Sequence, residues 1–323
     1  MPSSTSPDEI AGPVAIIAGG LSHERDVSLV SGRNLVRELG SVGIEAHAYD
    51  FDRNLLTALE RDKVVVAMPI LHGQFGEDGE IQTLLELIGM PYAGSRSHAC
   101  RVAFDKGTAR ELLRRAALPV PDSVGLSAQT FRDIGAPALM EHVMKRLGAR
   151  VVVKPARGGS ALGISGVDGL AALPSALVET YAYCEDALIE RFHDGIDVSV
   201  AVIETDEGLR ALTPIAVEYE KGHEFDFSAR YTAEFVSLDR PDLPEELIAR
   251  LGEVACEAHR LLGLRDLSRS DFIVSPDGSF VILETAIAPG MTETSVFPYA
   301  CTASGTTLGE VARDLLLRAV RTA

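Results

Sequence analysis

The chain reads as an α/β first half followed by an α+β second half. Between residues 14 and 96 short buried strands alternate with segments of helical spacing, the pattern of a parallel sheet with helices on both faces. From about residue 190 short strands at hairpin spacing accompany a long amphipathic helix, the pattern of antiparallel sheets. The 323 residues are 46% hydrophobic and 24% charged, a soluble globular composition with length for two or three domains.

In order, "VAIIAGG" (14–20) is a buried strand ending in glycines. "SLVSGRNLVRELG" is a helix with Gly40 as its stop, "AHAYDF" and "VVVAMPILHG" are strands, and "EIQTLLELIG" is a second helix. This first unit spans 1–96, with residues 1–12 expected to be disordered. A helix "DKGTARELLRRAA" (105–117) is halted by the prolines of "LPVPDS". "ARVVVKPARGGSALGISGV" gives two strands joined by a glycine-rich loop, and "ALIERF" and "DVSVAVI" give further strands. "PEELIARLGEVACEAHRLLG" is the long helix, followed by a hairpin carrying Asp271 and Glu284 and a last helix "LGEVARDLLLRAV".

The formal net charge is -17, so a phosphate backbone would be repelled and general nucleic-acid binding is excluded. Four cysteines without a CxxC pair argue for a reducing compartment and against a disulfide framework or zinc site. "MPSSTSPDEIAGP" lacks the basic and apolar regions of a signal peptide. No apolar run approaches the roughly 18 residues of a membrane span. The expected location is the cytoplasm, with no membrane partner.

Five stretches carry chemistry. In "VVVKPARGGSALG", Lys154 ends a strand and a loop with Gly158, Gly159, Gly163 and Ser160 offers N–H and hydroxyl donors to phosphate; alone, such a stretch is more often a plain turn. Lys106 in "FDKGTAR" reads first as a solvated lysine, unless a nucleotide lies near. "AGGLSHERDVSLVSG" places Glu24 and Arg25 between a strand and a helix start, a ligand-facing layout or a simple capped loop. "LHGQFGEDGEIQ" places His72 after a parallel strand, as a structural or ligand-facing residue. Arg269, Asp271 and Glu284 on a hairpin fit a magnesium ion, whose ligands are a few carboxylates plus phosphates and water, or else a solvated face.

Together these stretches resemble the D-alanine–D-alanine ligases of the ATP-grasp superfamily. "SHERDVSLVSG", "LHGQFGEDGEIQTLLELIGMPYAGS", "DKGTARELL", "VVVKPARGGSALGIS" and "SRSDFIV…PGMTETS" fall in family order, and the likeness runs from about 14 to 320. The resemblance implies an ATP-grasp fold: a Rossmann-like N-terminal domain (1–96), a small central domain (97–189) and a C-terminal domain (190–323), with ATP between two antiparallel sheets. It implies that ATP phosphorylates one D-alanine and a second D-alanine attacks the acyl phosphate, making the dipeptide for peptidoglycan precursors.

By the same resemblance Lys106, Lys154, Gly159 and Ser160 face the ATP phosphates, Glu190 the adenine edge and Asp197 the ribose, and Arg230 on a mobile loop also binds ATP. Glu24 holds the first substrate's ammonium, with His72 beside it. Arg269 and the Gly290 N–H stabilise the oxyanion, and Ser295 holds the second substrate's carboxylate. Tyr231 links through Ser160 to Glu24 on a mobile loop. Asp271 and Glu284 hold magnesium, one or two ions, or manganese in its place. A homodimer is implied.

Three positions depart from the family pattern: Ala286 where the metal motif has asparagine, Ala161 where a second serine is common, and Arg230 where lysine is usual. Thr285 alternates to the opposite strand face and replaces the asparagine poorly. Tyr231 favours an amine as second substrate. The alternatives are a related ligase joining another amino-acid pair and a nucleotide binder without catalysis.

Overall fold

The computed structural model describes residues 10–134, 136–159, 162–219 and 236–322. The first unit contains β1 (Val14–Ala18), α1 (Arg25–Ser41), β2 (Ala46–Asp50), α2 (Leu55–Arg61), β3 (Val66–Pro69) and α3 (Glu80–Leu87). Its sheet is parallel, in the order β2-β1-β3. β1 is buried on both faces, so its five residues are continuously apolar rather than alternating. Ile16, Leu35, Leu39 and Met68 pack on one face, and Ile17, Leu55, Leu59, Ile81 and Leu85 on the other. Helices therefore cover both faces, as the alternation predicts. Ile10 packs against this core, so the expected disorder of 1–12 does not extend to it, and residues 1–9 lie outside the described residues.

Two helices follow, α4 (Ser97–Phe104) and α5 (Lys106–Arg115). The middle unit holds β4 (Ser123–Ser127), α6 (Ala128–Ile134), α7 (Ala136–Leu147), β5 (Arg150–Pro155), β6 (Ser165–Asp168), α8 (Leu173–Tyr181) and β7 (Asp186–Arg191). Its sheet is antiparallel, in the order β4-β7-β5-β6.

The third unit holds β8 (Ile196–Thr205), β9 (Gly208–Ala211), β10 (Ile215–Tyr219), β11 (Val236–Asp239), α9 (Glu245–Leu261), β12 (Leu267–Val274), β13 (Phe280–Ala286), α10 (Val296–Ala303) and α11 (Leu308–Arg321). Its sheet runs β11-β10-β8-β12-β13 with β9 beside β8, and every pairing is antiparallel. No helix among the described residues is long and apolar enough to cross a membrane.

Two expectations are corrected. The 97–189 boundary gives α4 and α5 to the middle unit. Their apolar residues Ala99, Cys100, Ala103, Ala109 and Leu113 instead join Val198, Val254 and Phe272 in the core of the third unit, and the middle sheet continues to Arg191. A hydrophobic stripe shows that a helix is buried, not against which sheet. Gly40 does not stop α1. The helix runs to Ser41, and the reversal uses Gly43 at φ 81°, a left-handed conformation open to glycine.

α1 is clasped between β1 and α11. A Cβ on Gly309 would stand 2.4 Å from the Glu38 carbonyl oxygen, whereas one on Gly40 would meet nothing within 4 Å. Gly309→Ala should therefore lower stability by about 1–3 kcal/mol through overpacking. Gly40→Ala should raise it by roughly 0.5–1 kcal/mol through helix propensity. Thermal melts of the two variants should move in opposite directions.

Candidate active site

Register builds the centre of the site. β12 lies between β8 and β13, and Asp271 is opposite both Ser199 and Glu284. Two residues along, Arg269 is opposite Ala201 and Ala286. Because strand side chains alternate, the row Ser199–Asp271–Glu284 and Arg269 share one face. Arg269 donates to both Asp271 carboxylate oxygens (2.8 and 2.7 Å), and Ser199 Oγ donates to Asp271 Oδ1 (2.7 Å). The Asp271 carboxylate is thus fixed in orientation. After Glu284 the ladder shifts: Phe272 pairs with Ile282, leaving Leu283 as an extra residue whose carbonyl accepts from Arg110 Nη2 (3.2 Å).

Lys106, at the first turn of α5, reaches the same place. Its Nζ stands 3.5 Å from Glu284 Oε2 and donates to the Gly158 carbonyl of the glycine-rich loop. Lys154 on β5 is 4% exposed and pairs with Glu190 at 2.6 Å, while Arg110 reaches the same Glu190 oxygen. Burial lowers the Lys154 pKa, and the Glu190 carboxylate opposes that shift. Glu190 is therefore set behind the cavity wall, at 2% exposure, as the counter-ion of two cations.

Glu24 is the N-cap residue of α1 and is 4% exposed. Two glycines let the backbone approach it: a Cβ on Gly73 would lie 2.4 Å from Glu24 Oε2, and one on Gly159 would lie 3.0 Å from Oε1. Gly73, at φ 67°, tolerates a side chain on neither count. Gly159 of the glycine-rich loop thus lies directly against Glu24. His72 is buried, and burial holds its imidazole neutral, with a pKa lowered to about 4. Among the described residues its Nε2 has no hydrogen-bond partner, as suits a ring that meets a polar ligand group. Ser295 stands at the N-cap position of α10 without a capping hydrogen bond, and its hydroxyl accepts from the Thr292 N–H (3.2 Å), placing it at a helix N-terminus, where a carboxylate is favoured.

Glu24, His72, Lys106, Lys154, Gly159, Asp197, Arg269, Asp271, Glu284, Gly290 and Ser295 line one cavity. Ser160, Arg230 and Tyr231 lie outside the described residues, as does Ala161. Sequence reasoning missed Ser199, Arg110 and Glu77. Ser199 could have been found two residues beyond Asp197 on the same strand face. Glu77 passes in the sequence for a turn acid of "GEDGE"; it is buried, accepts from the Gly73 N–H (2.8 Å) and lines the cavity. Desolvation, then the nearby Glu24 charge, pushes its carboxyl up to about 8.

Asp271 and Glu284 suit a hard cation, since they present oxygens from directly opposite positions. Among the described residues no group of three or more His, Cys, Asp or Glu forms a metal cage. Such a pair fits an ion completed by phosphates and water rather than by protein. Ala286 adds no ligand, and the Thr285 hydroxyl is bound to Ser270 Oγ (3.0 Å) on the buried side of the sheet.

A family model described as "D-ala D-ala ligase C-terminus" matches residues 112–317, and "D-ala D-ala ligase N-terminus" matches 52–95. A D-alanine–D-alanine ligase of Geobacter sulfurreducens is 37% identical over 286 residues, 88% of this chain and 86% of that protein. One from Ralstonia nicotianae is 35% identical over 94% of this chain and 90% of its own length. The solved VanG D-Ala:D-Ser ligase of Enterococcus faecalis is 25% identical with a TM-score of 0.79, covering 94% of this chain and 98% of that one. The Bacillus anthracis D-alanine–D-alanine ligase complexed with ATP shares the fold, with a TM-score of 0.80 at 24% identity over 97% of this chain and 99% of its own.

Glu77 yields a pH dependence with a definite sign. Its folded pKa of about 8 lies above the ordinary carboxyl value of 4.5, so over that window the native state keeps a proton that the unfolded chain releases. Its contribution is present below pH 4.5 and lost as pH rises toward 8. Glu77→Gln, neutral throughout, should melt higher than the parent at pH 8, with the difference shrinking toward pH 5. Melts of the ligand-free protein across this range check it; a constant difference contradicts it.

Proposed function

The chain belongs to the D-alanine–D-alanine ligase family, and from that premise we propose that it is an ATP-dependent D-alanine–D-alanine ligase. The reaction forms the dipeptide through D-alanyl phosphate, with release of ADP and phosphate, and supplies peptidoglycan precursor synthesis. The observation that carries the reading is one cavity in which a buried acid (Glu24), a neutral imidazole (His72), two lysines (Lys106 and Lys154) and a carboxylate pair (Asp271 and Glu284) converge from all three units.

Glu24 holds the ammonium of the first D-alanine and turns its carboxylate toward the phosphates of ATP. Lys106 and Lys154 hold those phosphates, with Asp197 at the ribose and Glu190 fixing Lys154 from behind the cavity wall. A carboxylate oxygen bonds to the γ-phosphorus as the bond to ADP breaks. This step needs positioning and cations rather than an enzyme nucleophile. The amine of the second D-alanine, its own carboxylate on Ser295, then attacks the acyl carbon. Arg269 and the Gly290 N–H face the developing oxyanion. Collapse expels phosphate. Magnesium, when held by Asp271 and Glu284, neutralises phosphate charge. Ser160, Arg230 and Tyr231 complete the reading as the groups that close the site and exclude water. The cytoplasm, which holds ATP, is the proposed location, and a homodimer the proposed assembly.

The test is phosphate release from purified protein with ATP and magnesium, offering D-alanine, L-alanine, D-serine, D-lactate or nothing, with products identified by mass. D-Alanine-dependent release with D-alanyl-D-alanine formed is the expected result. Coupling of another pair while D-alanine alone is inert would overturn it.

Ala286 lies beside Arg269 and one alternation from Glu284, so an asparagine amide oxygen there would face the same side as both carboxylates. Ala286→Asn should lower the magnesium concentration for half-maximal rate severalfold. An unchanged magnesium curve would show that the ion is completed in another way.

A further inference from the structure

α1 begins at the site, with Glu24 as its N-cap, and one of its faces is polar yet buried. Ser28 and Ser31 are fully buried and Asn34 is 7% exposed, a costly choice for a helix face packed in a core unless each group has a partner. Each does. Ser28 Oγ accepts from the Gly19 N–H (2.9 Å) and donates to the Ile70 carbonyl (2.6 Å), tying down the ends of β1 and β3. These strand ends lead into the segments that carry Glu24 and His72.

Ser31 and Asn34 turn to a different part of the chain. The Met291 N–H donates to Ser31 Oγ (3.1 Å), and Asn34 Nδ2 donates to the Met291 carbonyl (2.6 Å). Both backbone polar groups of one residue are therefore gripped by one helix, across more than 250 residues of sequence. Met291 itself is 1% exposed and anchored in the core. It directly follows Gly290, and Ser295 lies four residues on, folded back so that a Cβ on Gly290 would stand 2.8 Å from Ser295 Oγ. One turn farther along α1, Arg37 pairs with Glu293 of the same loop (2.7 Å).

We infer that Ser31 and Asn34 are positioning residues: through Met291 they set the Gly290 N–H and the Ser295 hydroxyl, and so the acceptor half of the site, at a fixed offset from Glu24 on the same helix. A helix is a stiff rod with about 1.5 Å of rise per residue, so the seven residues from Glu24 to Ser31 fix about 10.5 Å between the two anchor points. The donor acid is referenced to one end of the rod and the acceptor loop to a point two turns down. Amine and acyl carbon then meet at a distance set by helix geometry rather than by loop closure. This inference rests on the proposed ligase reading and deepens it.

The two halves of the reaction separate the inference from general damage. Formation of the acyl phosphate needs only ATP and the first amino acid, and is read by D-alanine-dependent scrambling of oxygen label between bridging and non-bridging positions of ATP. Capture needs the acceptor loop. Asn34→Ala should leave scrambling within about twofold of the parent. It should lower kcat/KM for the second amino acid by about 10- to 100-fold, the penalty of a displacement near 1 Å. Ser31→Ala, a smaller deletion, should shift the same parameter in the same direction and serves if Asn34→Ala does not fold. Equal loss in both halves, or no loss of capture in a folded variant, overturns the inference. The split is read with whichever donor and acceptor the parent couples, that donor replacing D-alanine in the scrambling assay, so failure of the D-alanine assignment leaves this test standing; a parent that couples no pair overturns both.

Discussion

A slip of β12 by one residue against either neighbour would turn Asp271 and Arg269 to the far face of the sheet, and the cavity would lose its centre at once. Everything else in the site is arranged around that register. It is held from the other face, where buried polar pairs act as keys. Ser268 Oγ is 2.8 Å from His259 Nδ1, and Ser270 Oγ is 3.0 Å from Thr285 Oγ1. A one-residue slip would turn both serines away and leave His259 Nδ1 and Thr285 Oγ1 buried without those partners, which costs about 1–3 kcal/mol for each. A shift by two would carry one serine into the other's place and still leave one of the two pairs unmade.

The charges around the cavity follow a second rule, that each buried ion is answered before any ligand arrives. Lys154 and Arg110 share Glu190, leaving a net positive cluster suited to polyphosphate. Truncating one partner of such a cluster is more damaging than its modest net contribution implies, because the others stay buried and uncompensated. Glu77, with two other carboxylates nearby, is answered differently: it keeps its proton. The donor end of the site is therefore less negative at neutral pH than its count of acids indicates.

The fold class was legible because it depends on local periodicity: β1 is uniformly apolar, and α9 carries a clear stripe. Much of the site was legible because its motifs are contiguous and ordered. What escaped is the part made by distant pairing. Ser199 matters through Asp271, 72 residues away, and Arg110 through Glu190, 80 residues away. Neither partner is visible until the strands are aligned. Glu77 escaped for another reason, since an acid flanked by glycines looks solvated and only its burial reveals otherwise. The placement of α4 and α5 was open for the reason that an apolar stripe names no partner.

The core of the first unit is finished by the last helix of the chain: Val311, Leu315, Leu316 and Ala319 pack beside Ile16, Leu35 and Leu39. Synthesis delivers these halves far apart in time. At roughly 5–20 residues per second, the ribosome needs on the order of ten to forty seconds between α3 and α11. Throughout that interval α1 has no cover on its outer side. The middle unit, whose buried cluster draws only on residues 124–189, carries its own core and is complete long before. The order of assembly is thus inverted relative to the order of synthesis, and the nascent first unit is the segment for which a holding chaperone has most to do.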